Sequence, residues 1–149
     1  MAHTYANLLT HIIFSTKNRE PLITGAIRDD LLAYIGGIVR ELRGTLRAAG
    51  ARPDHVHLLC SLPPTVAISE ALRVVKTNSS LWLHRDRGLR GFDWQTGYGA
   101  FSVSHSQMAV VVRYLFEQEK HHRKLTFQEE FVAFLKRNGI AYDERHNWS

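Results

Sequence analysis

The sequence predicts an α+β protein: a ferredoxin-like split β-α-β antiparallel sheet with additional C-terminal helices. Two observations point there. Stretches with strand-like and helix-like hydrophobic periods follow one another in the order strand, helix, strand, strand, helix, strand, which is the order of that sheet. Two further helical periods come after the last strand. The 149 residues, 44% of them hydrophobic, suffice for one well-buried core but not comfortably for two. No repeat, low-complexity tract or linker divides them, so residues 1–149 are expected to form a single domain.

Residues 5–16, "YANLLTHIIFST", are rich in aromatic and β-branched types and lead into the polar "KNREP", as a first strand and its exit turn do. From Thr24 onward Ile27, Leu31, Ile35, Ile38 and Leu42 recur at helical spacing, with Arg28, Asp29, Asp30, Arg40 and Glu41 between them. Gly36 and Gly37 weaken this helix and Gly44 is its stop signal. "TLRAAGA" and "HVHLLCSL" are the next two strands, joined at Arg52, Pro53 and Asp54 and ended by Pro63 and Pro64. Ser69 is the expected cap of a second helix, "EALRVVKTNSSLWLHR", with Leu72, Val75, Leu81 and Trp82 as its buried stripe. "DRGLRGFDWQTG" has glycines and no sustained period, the mark of a mobile loop. "YGAFSVSHS" alternates as a fourth strand. A third helix is expected from about Ser106 through "QMAVVVRYLFEQEKHH". A fourth begins at Thr126, where Thr126 and Glu129 satisfy the capping-box pattern, and stops near Gly139.

Charge and cysteine usage narrow the function. Lys and Arg outnumber Asp and Glu by 19 to 14, a formal charge of +5, which favours a polyanionic partner such as nucleic acid. The lone Cys60 allows no internal disulfide and is read as a small buried hydrophobe in a reducing compartment. No signal segment opens the chain, and no apolar run approaches the ~20 residues that span a bilayer, so a cytoplasmic protein is expected.

The chemistry gathers in "RPDHVHLL". On a strand His55, His57 and Leu59 point one way and Val56, Leu58 and Cys60 the other, so the two imidazoles converge. Such a pair can hold a divalent cation with a third ligand from elsewhere, although two half-exposed surface histidines would have the same spacing. Tyr114 and Gln118, four apart, share one face of the third helix. A phenol can attack phosphorus and an amide oxygen can ligate a metal. An aromatic at helical spacing from Val110, Val111 and Leu115 also fits a core position.

"PDHVHLL", "YGAFSVS", "RYLFEQEKHH" and "YDERHNW" together resemble the single-tyrosine HUH transposases of the insertion-sequence 200/605 group, HUH meaning histidine, hydrophobic residue, histidine. The similarity runs from "HIIFSTKNREPL" to the end. It implies that His55 and His57 are the HUH pair, Tyr114 the nucleophile and Gln118 the third metal ligand. It further implies Mg²⁺ or Mn²⁺ as the ion, single-stranded DNA with hairpin ends as substrate, and a homodimer whose active sites are shared between subunits. Two imidazoles and an amide oxygen would by themselves suit Zn²⁺ or Mn²⁺ better than Mg²⁺. Leu115 stands where isoleucine is usual, and Ala51-Arg52 replaces a glycine-containing approach to Pro53; both changes are conservative. His121 and His122, three and four residues past Gln118, are competing ligands. Lys17, Arg19, Arg52, Arg73, Lys76, Arg85, Arg87 and Arg90 are dispersed candidates for phosphate contact. Phe92, Trp94 and Tyr98 could stack on unpaired bases, with a core role equally open to Trp94. A domesticated binding module and another HUH nickase, of replication-initiator or relaxase type, are the rival readings.

Overall fold

The computed structural model describes residues 3–120 and 126–143, with the side chains of 118–120 outside the description. Eight main elements follow in order: β1 (Leu9–Ser15), α1 (Gly25–Glu41), β2 (Thr45–Arg52), β3 (His55–Ser61), α2 (Ile68–Asp86), β4 (Gly99–Ser102), α3 (Met108–Lys120) and α4 (Phe127–Arg137). The sheet order is β2-β3-β1-β4 and every neighbouring pair is antiparallel. β3 therefore lies between the two strands that α1 connects, which is the split arrangement the element order predicts.

Alternation along β1 and β3 divides the core. Ile12, Phe14, Val56, Leu58 and Cys60 face one side and are covered by Ile27, Leu31 and Ile35 of α1 and Leu72, Val75 and Leu83 of α2. Cys60 is buried there, and burial pushes its thiol up to about 12, so it packs as an inert apolar group. Ile13 and Phe101 face the other side, under Phe127, Phe131, Phe134 and Leu135 of α4, with Tyr114 of α3 against the cluster. α3 itself runs across β2 and β3. Across the ladder Ile13 pairs with His57 and Ser15 with His55, so both histidines lie on the α4 side of the sheet.

Two glycines permit close approaches. A Cβ on Gly44 would stand 2.8 Å from the Ser61 carbonyl oxygen, and one on Gly99 2.9 Å from the Phe131 ring. The second is where α4 settles onto β4.

Several boundaries depart from the sequence expectation. β1 begins at Leu9 rather than residue 5, because its ladder starts at Leu9–Ser61 and β3 supplies no partner further out. The α2 cap is Ala67, with no side-chain hydrogen bond, and Ser69 lies inside the first turn. In α2 Leu81 is 39% exposed while Leu83 is fully buried. The true stripe passes through Ser79, a polar residue whose hydroxyl donates to the Val75 carbonyl at 2.6 Å and accepts from Trp94 Nε1 at 3.0 Å. That partnership satisfies a buried hydroxyl and hides the period from a hydrophobicity count. The loop after α2 is pinned: Phe92 and Trp94 are buried, edge-on to each other, and Trp94 is edge-on to Phe14. These two rings belong to the core and offer no stacking face to a base; Tyr98 is the one of the three left partly exposed. β4 stops at Ser102, where its pairing with β1 ends, and a 3₁₀ turn at His105–Gln107 leads into α3.

Candidate active site

β3 supplies the floor. His55 and His57 are 3% and 0% exposed and present their Nε2 atoms to the α4 side, with ring centroids 5.2 Å apart. The carboxylate that meets them comes from α4. This helix starts with the expected capping box, in which Thr126 Oγ1 accepts from the Glu129 N–H and Glu129 Oε1 accepts from the Thr126 N–H, both at 3.2 Å. With Glu129 engaged in the cap, Glu130 falls on the buried face beside Phe127, Phe131 and Phe134, and is 2% exposed. Glu130 Oε1 accepts from His57 Nε2 at 2.6 Å and from His55 Nε2 at 3.1 Å. Its other oxygen, Oε2, accepts from the Tyr114 hydroxyl at 2.8 Å. The tyrosine ring lies edge-on to His57, centroids 6.1 Å apart.

Behind the imidazoles stand further partners. Asp54 Oδ1 accepts from His55 Nδ1 at 2.7 Å. His57 Nδ1 faces His11 Nε2 of β1 at 2.9 Å, with the two rings stacked. Electrostatics follow the contacts. Burial disfavours charge on His55, but hydrogen bonds to Asp54 and Glu130 outweigh it and raise its pKa above 6.5. His57, wholly buried, is lowered by desolvation despite Glu130. Burial, then the neighbouring His57, takes His11 down to about 3. Glu130 is pushed up by burial, yet hydrogen bonds from His55 and His57 hold it well below the usual carboxylate range.

The donor set suits a divalent cation. Ligand atoms of His55, His57 and Glu130 lie within 4.8 Å of one another. Each imidazole also has its other nitrogen anchored, by Asp54 and by His11, as ligating histidines commonly do. A carboxylate oxygen makes the set more acceptable to Mg²⁺ or Mn²⁺ than two imidazoles alone.

Of the residues singled out in the sequence, His55, His57 and Tyr114 are brought together. Gln118 lies on α3 one turn beyond Tyr114, but its side chain, like His121 and His122 altogether, lies outside the described residues. Glu130 and His11 escaped sequence reasoning. A carboxylate within the stripe Phe127, Phe131, Phe134, Leu135, and a histidine in the apolar run "HIIF", were the available signals. Lys76 is not a free cation: its ammonium donates to the carbonyls of Gln95, at 3.0 Å, and Gly97, and burial lowers it to about 8. Arg73 pairs with Glu70, and Arg87 with Asp30. Beside His55 opens a cavity of about 440 Å³ lined by Asn18, Arg19, Arg52, Thr126 and Gln128 among others. Among the described residues no helix is long and apolar enough to cross a membrane.

An α+β fold of this topology recurs in solved transposases. One neighbour is a Deinococcus radiodurans protein described as a transposase, with a TM-score of 0.63, 24% identity, and coverage of 80% of this chain and 97% of that one. Another is a REP-associated tyrosine transposase bound to a REP hairpin, with a TM-score of 0.60, 18% identity, and coverage of 96% and 91%. At these identities the likeness establishes the fold. The chain itself belongs to the family described as "Transposase IS200 like", whose model matches residues 4–118. Relatives include the transposase for insertion sequence element IS200 of Salmonella typhimurium, 27% identical over 138 residues, covering 85% of this chain and 88% of the relative. The ISDra2 transposase TnpA of Deinococcus radiodurans is 25% identical over 114 residues, covering 72% and 81%.

Proposed function

We propose that this transposase, a single domain acting in the cytoplasm, cleaves and rejoins single-stranded DNA at hairpin-bearing element ends through a 5′-phosphotyrosine at Tyr114. A divalent cation, Mg²⁺ or Mn²⁺, is held by His55, His57 and an oxygen ligand. The observation that carries this reading is the meeting of two buried imidazoles, one buried carboxylate and a half-buried phenol in one cluster. The REP-associated tyrosine transposase is bound to a REP hairpin, which supports a hairpin substrate here.

Strand cutting without an external energy source requires that the phosphodiester energy be conserved in a covalent bond, and a tyrosine oxygen does this by attacking phosphorus as the DNA 3′-oxygen leaves. A free phenol ionises only at about pH 10, so the nucleophile needs a partner at its proton, and Glu130 Oε2 is at hydrogen-bond distance from the Tyr114 hydroxyl. Held by His55, His57 and an oxygen ligand, a divalent cation would neutralise charge developing on the phosphate. Arg19 and Arg52 line the cavity that leads to His55 and suit an approaching phosphate. Labelled single-stranded DNA incubated with the protein and Mn²⁺ should give a denaturant-resistant adduct. Tyr114→Phe should bind the DNA unchanged and form none, and an adduct on that variant refutes the assignment.

The third ligand is Gln118 by resemblance and Glu130 by the contacts of the closed cluster. Measured by the signal of free Mn²⁺, the true ligand should lose at least the ~10–100-fold in affinity that removing an outer partner costs. We expect Glu130→Ala to show that loss and Gln118→Ala a smaller one; the reverse order returns the role to Gln118.

Homodimerisation with sites shared between subunits is part of the same proposal. Val110 and Phe116, 58% and 67% exposed, leave two apolar side chains of the tyrosine's own helix open to contact with a second copy. An exchanged element makes between chains the contacts it makes within one, so a Tyr114–Glu130 bond inside a single chain is compatible with exchange.

A further inference from the structure

The second nitrogen of His57 faces away from the ligand cluster, toward His11 Nε2 at 2.9 Å. The rings stack with centroids 5.2 Å apart and planes 20° apart, and Phe134 and Phe101 hold the His11 ring from the sides. His11 is 3% exposed and His57 0%, so each is the other's partner where water is scarce. An N···N hydrogen bond needs one ring to donate and the other to accept. If His11 donates, His57 carries its proton on Nε2 and points it at Glu130. If His57 donates from Nδ1, its Nε2 bears a bare lone pair, and only that form can ligate a cation.

We infer that His11 is a positioning residue of the cation site: as the buried acceptor for His57 Nδ1–H, it holds His57 in the form that presents Nε2 to a divalent ion. The inference rests on the proposed role of His57 as a ligand. The chemistry of the partner matters. Asp54, behind His55, can only accept. An imidazole can accept when an ion is bound and donate when Glu130 Oε1 stands at His57 Nε2, so His57 Nδ1 keeps a partner in both states. An unpaired buried nitrogen is costly, and a partner able to exchange roles keeps that cost from arising at His57 whether or not an ion is bound.

Two variants separate the nitrogen from the ring. His11→Phe keeps a planar ring in the stack and removes the acceptor. His11→Gln restores an amide that can accept through its oxygen or donate through its nitrogen. With fold checked by circular dichroism, Mn²⁺ affinity should fall about 10–100-fold in His11→Phe and largely return in His11→Gln. Long-range proton–nitrogen spectra of the Mg²⁺-saturated wild type should show His57 protonated at Nδ1 and bare at Nε2. Unchanged affinity in folded His11→Phe, or a proton on Nε2 in those spectra, overturns the inference. Should His11→Phe not fold, the wild-type spectrum decides alone. His57→Ala keeps the two levels apart. If it loses Mn²⁺ while His11→Phe does not, only the role of His11 falls; if it binds as the wild type does, the ligand reading falls and this inference with it.

Discussion

Around His57, polar side chains from β1, β3, α3 and α4 share protons in a pocket largely closed to water, and that sharing ties stability to pH. In the metal-free protein the folded chain leaves His11 neutral down to about pH 3, whereas the unfolded chain protonates it near 6.5. His57 is lowered in the same direction. Where the unfolded state binds more protons, stability falls as pH falls, so both residues cost stability on acidification from 6.5 downward. His55 works in the opposite sense: its raised pKa stabilises the fold fully below 6.5, and that contribution is lost as pH rises through the folded value. Glu130, lowered, contributes stability above 4.5 that disappears in stronger acid. With its folded value at about 3, His11 loses more between pH 7 and pH 5 than His55 can return over the same range, so the urea midpoint of the metal-free protein should be lower at pH 5 than at pH 7. A midpoint that stays level or rises would mean that the buried histidines are charged in the fold.

At the scale of elements, what matters for the site is how α4 is held against the sheet. Its start is set by the Thr126–Glu129 box, which was visible as a pattern in the sequence, and its docking by the Phe127, Phe131, Phe134 row. Gly99 is the point of closest approach, where an added Cβ would press on Phe131 at 2.9 Å, Ile13 at 3.0 Å and Phe101 at 3.2 Å. Gly99→Ala should therefore cost about 1–3 kcal/mol, in the range of other overpacked cores. Because the strain acts on the helix that carries Glu130, Mn²⁺ affinity should drop with it. Thermal unfolding and an Mn²⁺ titration on one preparation check both, and a variant as stable as the wild type would show that α4 is free to shift.

For the molecule as a whole, the two faces of one sheet divide the labour. α1 and α2 close a core on one side that is apolar but for the Ser79–Trp94 pair, while α3 and α4 cover the other with aromatic rings around a polar cluster. Whether that second layer is exchanged between copies can be read by mixing Tyr114→Phe protein with His57→Ala protein. Shared sites predict that the mixture recovers adduct formation, since one composite site then has both intact histidines and an intact tyrosine. A mixture as inactive as its components would confine each site to its own chain.

The element order, the direction of His55 and His57 and the cap of α4 were legible because they depend on local period and local hydrogen bonding. A two-residue repeat fixes which way a side chain on a strand points, and a four-residue motif caps a helix without help from elsewhere. The stripe of α2 was misread at Leu81 because Ser79 holds its place through a bond to Trp94, 15 residues on. Glu130 and His11 lay beyond such patterns altogether. His11 meets His57 across 46 residues and Glu130 meets it across 73. Neither pairing alters the local spacing of either partner. The sequence by itself determined the sheet, its helices and the face that carries the histidines; only the tertiary structure decided which carboxylate and which imidazole complete their surroundings, because packing rather than periodicity brings them there.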